Sequence, residues 1–187
     1  KIEEVGSLYD DYVLPVRIAS STGEPMGQNK YTKVLAHIGF KNDYSGTYSG
    51  KGVITQQGTT YTTEITSTLL YAINNNVCYM FVGEKTRANT QDYLNYVVEI
   101  ERNEWGGIVL SSNVEGLQFK PYSAKLSRKY TYNYNDQRYY TEITTIELAY
   151  EYLDSTQGEP LMMSFEGTFS MSRDVLRVEY PDVDVEE

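Results

Sequence analysis

Apolar and polar side chains alternate along most of this chain. Between Tyr122 and Tyr134 the even positions carry Tyr122, Ala124, Leu126, Tyr130, Tyr132 and Tyr134. Ser123, Lys125, Ser127, Lys129, Thr131 and Asn133 fill the odd ones. A period of two marks a strand with one buried and one wet face. The pattern resumes over 139–152 after a turn around 133–138, which predicts a long β-hairpin. An earlier hairpin is predicted around Gln57-Gly58, where Tyr61, Thr63, Ile65, Ser67, Leu69, Tyr71 and Ile73 keep one face. The phrase beginning at Tyr61 (YTTEIT) returns at Tyr140 (YTEIT), either by duplication or by convergence on strand-forming residues.

The remaining segments extend the same picture. Residues 12–18 read as a strand at an edge or bulge, because Pro15 cannot donate to a ladder. Val34, Ala36, Ile38 and Phe40 alternate with Leu35 and His37, and 77–82 is apolar on both faces, as a central strand is. The polar segment 83–92 reads as a loop or one helical turn, after which Leu94, Tyr96, Val98 and Ile100 face one way. Ile108–Ser111 follows, and Leu161, Met163, Phe165, Gly167, Phe169 and Met171 form a final long run before a short strand over 175–180. No segment has the period of an amphipathic helix. The chain is predicted to be all-β, an antiparallel meander of about 10–11 strands closing into a barrel, with a β-sandwich as the alternative. We expect a single domain over 1–187, with an N-terminal extension at 1–30 and an acidic tail at 181–187.

Length and charge narrow the options. A chain of 187 residues can bury a substantial core. Its net charge of −10 argues against nucleic acid or an anionic membrane surface as partner, since both need clustered Lys and Arg. The 19 tyrosines, against five Phe and one Trp, suit half-buried sheet faces and wet binding surfaces alike. Cys78 is alone, which excludes an intrachain disulfide, and its apolar surroundings predict a buried thiol. The sequence starts at Lys1 and holds no apolar span of membrane length. The polar, Tyr-, Thr-, Asn- and Gly-rich β composition, together with the start at Lys1 rather than Met, predicts an exported protein of the periplasm, outer membrane or cell surface. Any membrane attachment would come through a lipid anchor upstream of the residues in hand.

Candidate chemistry is sparse. His37 is the only histidine, so neither a His-based metal cluster nor a Ser-His-Asp triad is expected. Glu99 with Glu101, and Glu147 with Glu151, share strand faces, where neighbouring acids read as solvated rather than as a glycosidase pair. Asp182, Asp184, Glu186 and Glu187 lack the glycine and spacing of a calcium loop. No catalytic residue, metal site or cofactor is expected, and the chain does not read as an enzyme. The binding candidates are Tyr122, Tyr130, Tyr132 and Tyr134, with Tyr140 across the turn and Trp105 beside Gly106-Gly107. Such rings can embrace a small apolar or amphipathic ligand at a barrel mouth, stack on a glycan, or simply pack. A third reading is a structural or adhesive protein that pairs strand edges with a partner.

Gly46-Thr47-Tyr48-Ser49-Gly50 near the start of the meander and Glu166-Gly167-Thr168-Phe169-Ser170 near its end resemble the calycin-like and lipocalin-like envelope proteins of gut bacteria. The resemblance implies a calycin-like antiparallel barrel, exported as a lipoprotein, with an undefined ligand. Lipocalins carry Gly-x-Trp on the first strand beneath an Arg near the last. The matching positions here are Gly46-x-Tyr48 and Arg173, with Tyr in place of Trp.

Overall fold

The computed structural model describes residues 12–17 and 33–38, by backbone alone, together with 41–156, 158–179 and 183–186. The chain divides into two compact units, Lys1–Phe40 and Lys41–Glu187. In the first, β1 (Tyr12–Arg17) and β2 (Lys33–Ile38) form a two-stranded antiparallel sheet with Pro15 opposite Leu35. Each is an edge strand, the position where proline is tolerated. The expected start of the chain, the loop at 20–29 and the side chain of His37 lie outside the described residues.

The second unit contains β3 (Gly46–Gln56), β4 (Thr62–Ala72), β5 (Val77–Phe81), β6 (Val97–Arg102), β7 (Ile108–Ser111), β8 (Lys120–Tyr132), β9 (Tyr139–Asp154), β10 (Leu161–Leu176) and β11 (Val185–Glu186). They join in the order β11-β8-β9-β10-β3-β4-β5-β6-β7. Eight of them, β3 to β10, make an antiparallel meander that bends into a nearly closed barrel, with β7 returning alongside β8. The sheet is one curled layer, and the sandwich alternative falls away. At the seam, the two residues of β11 run parallel to β8 beside Tyr130 and Thr131, so the acidic tail adds a short pairing there. The rest of that tail, Pro181, Asp182 and Glu187, lies outside the described residues.

Alternation works best where strands have neighbours on both sides. β9 buries Ile146, Leu148, Tyr150 and Tyr152, and β10 buries Met163, Phe165 and Phe169. β10 also runs on to Leu176, where Val175 is again buried, so the separate strand expected at 175–180 does not exist. Arg173 keeps its inward position there because a buried carboxylate receives it. Arg177–Glu179 instead forms a single 3₁₀ turn.

Two other expectations need correction. β4 does not hold one face throughout: Ile65 is buried, but farther along Leu70 and Ala72 are buried while Leu69 is exposed. The cause is a β-bulge in β3, where pairing steps from Ser49↔Ser67 to Gly52↔Ile65 and puts two residues opposite Thr66. Likewise β6 starts at Val97, not near Leu94, because Tyr93–Tyr96 coils into a 3₁₀ turn after Asp92 takes a left-handed φ of 54°.

Side chains fill the barrel interior. Tyr44, Tyr48, Tyr150 and Tyr152 are buried with Leu70, Met80, Ile100, Leu148, Phe165 and Phe169. Several buried tyrosine tips are hydrogen-bonded. Tyr48 donates to the Tyr44 carbonyl at 2.8 Å, while Tyr150 and Tyr96 accept from the Gly83 and Ser155 N–H groups at 3.1 Å. A partnered tip lets a large ring contribute its apolar burial, roughly 1.5–3 kcal/mol each, without stranding a polar atom. Gly52 faces Gly167 across β3 and β10, and the parallel rings of Phe165 and Phe169, 6.2 Å apart, fill the space the two leave. Cys78 is buried too, and loss of solvent pushes its thiol up to about 11, which makes it a packing group rather than a nucleophile. Among the described residues these side chains occupy the barrel interior, and two hollows lie at its mouth.

Candidate functional site

An antiparallel meander delivers its turns alternately to two ends. The turns at 73–76, 103–107 and 133–138 gather at one end, and those at 57–61, 82–96, 112–119 and 155–160 at the other. Trp105, Tyr130, Tyr132, Tyr134 and Tyr140 all belong to the first end. Trp105 is 89% exposed on a turn whose Asn103 Oδ1 accepts from the Trp105 and Gly107 N–H groups. Tyr134 is 85% exposed. Tyr132 and Tyr140 are cross-strand neighbours whose rings meet at 58°, with the Arg177 guanidinium 5.0 and 4.7 Å from their centroids. They form a cation–π cluster and not a flat platform. Tyr122 does not share their face. It sits at a bulge between Pro121 and Ser123, over half exposed, with the Lys120 ammonium over its ring.

Beneath this end lies a charge cluster. Tyr130, Glu142 and Arg173 form one inward row across β8, β9 and β10. Glu142 is fully buried, and its Oε1 accepts from Arg173 Nε at 2.8 Å and from Thr144 Oγ1 at 3.3 Å. Arg173 Nη2 lies 2.8 Å from the same oxygen, and the Tyr130 hydroxyl donates to Oε2 at 2.9 Å. Burial and the neighbouring carboxylate both push the Tyr130 hydroxyl up. Arg128, one inward position earlier on β8, reaches Asp43 at 3.6 Å. The periodicity held the signal for this cluster, since Arg128 and Glu142 fall on the buried parity of their strands.

The other end is the open mouth. β5 stops at Phe81, and Gly83 takes a φ of +57°, which favours glycine. Its N–H reaches Tyr150, and a side chain there would strike Tyr152 and Ile54, so the chain crosses the mouth as a close strap. Lys85 anchors the strap. Its Nζ lies 2.7 Å from Asp154 Oδ2, donates to Thr156 Oγ1 at 2.9 Å, and sits over the Tyr96 ring. On one side of the strap is a hollow of about 330 Å³, with Ile54, Tyr152, Leu161 and Met163 on one side, Gln56, Tyr61 and Thr63 on the other, and the charged Glu84, Lys85 and Asp154 along the strap. On the other side a cleft of about 460 Å³ follows β4.

The Lys85–Asp154 pair is nearly buried, with side chains 10% and 13% exposed. Burial alone would raise the Asp154 carboxyl, but hydrogen bonds from Lys85 and Thr156 outweigh it and hold the group below its ordinary value. A carboxyl depressed in the folded state contributes stability above its unfolded value, about pH 3.9, and loses it as the pH falls toward the folded value. Asp154→Asn is therefore expected to lower stability above about pH 4 and to flatten its fall below that pH, read by chemical denaturation.

The paired acids lie on outward strand positions. Glu147 lies 3.4 Å from Lys125, and Glu151 accepts from Gln57 Nε2 at 2.6 Å. Among the described residues no group of three or more His, Cys, Asp or Glu can hold a metal. No helix there is long and apolar enough to cross a membrane.

Residues 32–170 match the model of a family described as “-like, C-terminal”. Among curated proteins, none matches the chain. Several crystal structures share the fold. A Bacteroides ovatus protein of unknown function is 21% identical, with a TM-score of 0.74 over 92% of this chain and 61% of that one. An auxiliary nutrient binding protein from Bacteroides thetaiotaomicron is 20% identical, with a TM-score of 0.69 over 91% of this chain and 59% of its own. A multidomain protein from Bacteroides ovatus is 18% identical, with a TM-score of 0.68 over 81% and 65%. The chain thus spans 59–65% of the length of these three structures.

Proposed function

The chain belongs to the family of “-like, C-terminal” domains, and from that premise we propose that it is a non-enzymatic, exported domain that binds a small amphipathic ligand at the barrel mouth. The observation that carries this reading is the hollow beside the Gly83–Lys85 strap. Its apolar side suits one face of a ligand, and Gln56, Tyr61 and Thr63 offer hydrogen bonds to the other. The nutrient-binding description of one structural neighbour agrees with a binding role. Export and a lipid anchor rest on composition and on the likeness to calycin-like envelope proteins.

A thermal-shift screen against small amphiphiles and soluble glycans tests the proposal. A ligand at a hundredfold its dissociation constant adds about 2.7 kcal/mol to the folded state, enough to move the midpoint by a few degrees. A shift with an amphiphile, reduced in Tyr61→Ala, is the expected result. No shift with either panel overturns it. A second reading is favoured by the exposure of Trp105 and Tyr134 at the opposite end. There the two rings would form a glycan platform beside Tyr132 and Tyr140, while Tyr122 lies at the far end of β8 and Tyr130 points inward onto Glu142. A shift with glycans alone, abolished in Trp105→Ala, would favour that platform.

A further inference from the structure

β4 leaves one of its edges open. β3 pairs with it from Gly46↔Leu70 to Thr55↔Thr62, yet β5 pairs with it only at Tyr71↔Tyr79 and Ala72↔Cys78. Beyond that point β5 ends, and Gly83 sends the chain over the mouth instead of alongside β4. The stretch from Glu64 to Leu69 borders the 460 Å³ cleft, and among the described residues no strand pairs with it on that side. It is about 20 Å of strand whose ladder groups on that side have no partner among the described residues.

Proteins usually protect such an edge with proline, lysine or a bulge that turns it away. Thr62–Leu70 contains no proline and no lysine, and its threonines, isoleucine and leucines favour extended backbone or packing. The charge on the cleft is one-sided. Glu64 and Glu84 line it; among the described residues the cations beside it are Lys85, held by Asp154, and Arg87, held by the Tyr79 hydroxyl and over the Tyr71 and Tyr93 rings. Glu64 does reach Lys51 at 3.0 Å, but both side chains are about two-thirds exposed, so that pair is easily exchanged.

We propose that this edge takes an extended, basic peptide segment of a partner protein as an added strand. Unpaired backbone groups supply the register, and the two glutamates favour lysine or arginine on the incoming strand. Pairing with a second copy is disfavoured, because each copy carries a net charge of −10 and the same Glu64. The inference does not depend on the ligand proposed for the mouth.

The probe is a fluorescent eight-residue peptide alternating threonine and valine, with a lysine at each end, titrated into the full chain. Saturable binding is expected. N-methylation of alternate peptide residues should weaken it at least tenfold, because it removes the ladder donors while sparing the side chains. Glu64→Lys, an exposed change that leaves the fold intact by circular dichroism, should weaken it several-fold. Hydrogen exchange should slow between residues 64 and 70. Absence of binding, equal binding of the N-methylated peptide, protection elsewhere, or self-association through this edge in sedimentation would each overturn the proposal.

Discussion

Arg173→Ala is expected to cost about 3 kcal/mol, the lower end of what removing one partner of a buried ion pair costs. Glu142 has no solvent exposure, and Arg173 supplies its only charge-bearing partner among the contacts described, beside the Tyr130 and Thr144 hydroxyls. Without the guanidinium, a carboxylate is left in a low-dielectric interior. Arg173 is itself 32% exposed, so water can partly replace it, which keeps the cost at the lower end. The loss is read by urea denaturation at pH 7. An apolar double replacement, Glu142→Leu with Arg173→Met, should recover much of the loss. A loss under 1 kcal/mol at pH 7 would show that the pair is not buried as described.

Gly167→Val is expected to destabilise by about 3 kcal/mol, the upper range for overpacking a filled core. A Cβ at Gly167 would lie 2.6 Å from Phe169 Cε2 and 2.9 Å from the Gly52 Cα on the neighbouring strand. The rings cannot retreat, because Phe169 is fully buried and Phe165 is already stacked on Tyr150 at 4.7 Å. Gly116→Ala is the control, since nothing lies within 4 Å of its added carbon, and it should stay within about 0.5 kcal/mol of the parent. Equal effects at the two sites, measured by thermal or urea unfolding, would mean that the barrel interior is looser than its geometry implies.

These effects show what alternation can and cannot reveal. It located β9 and β10 well because each has partners on both sides, so one face is buried for its whole length. It failed on β4 because the bulge that reverses its faces lies in β3, and a strand's own residues do not encode its neighbour's irregularity. It passed over Arg128 and Glu142 because charge is read as facing outward, whereas here the charges neutralise one another inside. The Tyr-rich hairpin was legible as a hairpin. Arg177 over Tyr132 and Tyr140, however, joins positions far apart in sequence, and nothing local announces it. The mouth was invisible for the same reason, since Lys85 and Asp154 stand on different turns. Gly83 was the one local clue, as a glycine at the end of an apolar strand.

The proposed function assigns ligand binding to the mouth and not to the packed interior or the Tyr/Trp end. Amide chemical-shift mapping with a ligand from the thermal-shift screen discriminates these sites. The largest shifts are expected at Gln56, Thr63, Lys85 and Asp154, with Trp105 and Tyr134 unmoved. Shifts centred on Trp105, Tyr132 and Tyr134, or on Tyr48 and Phe169 inside the barrel, would contradict it.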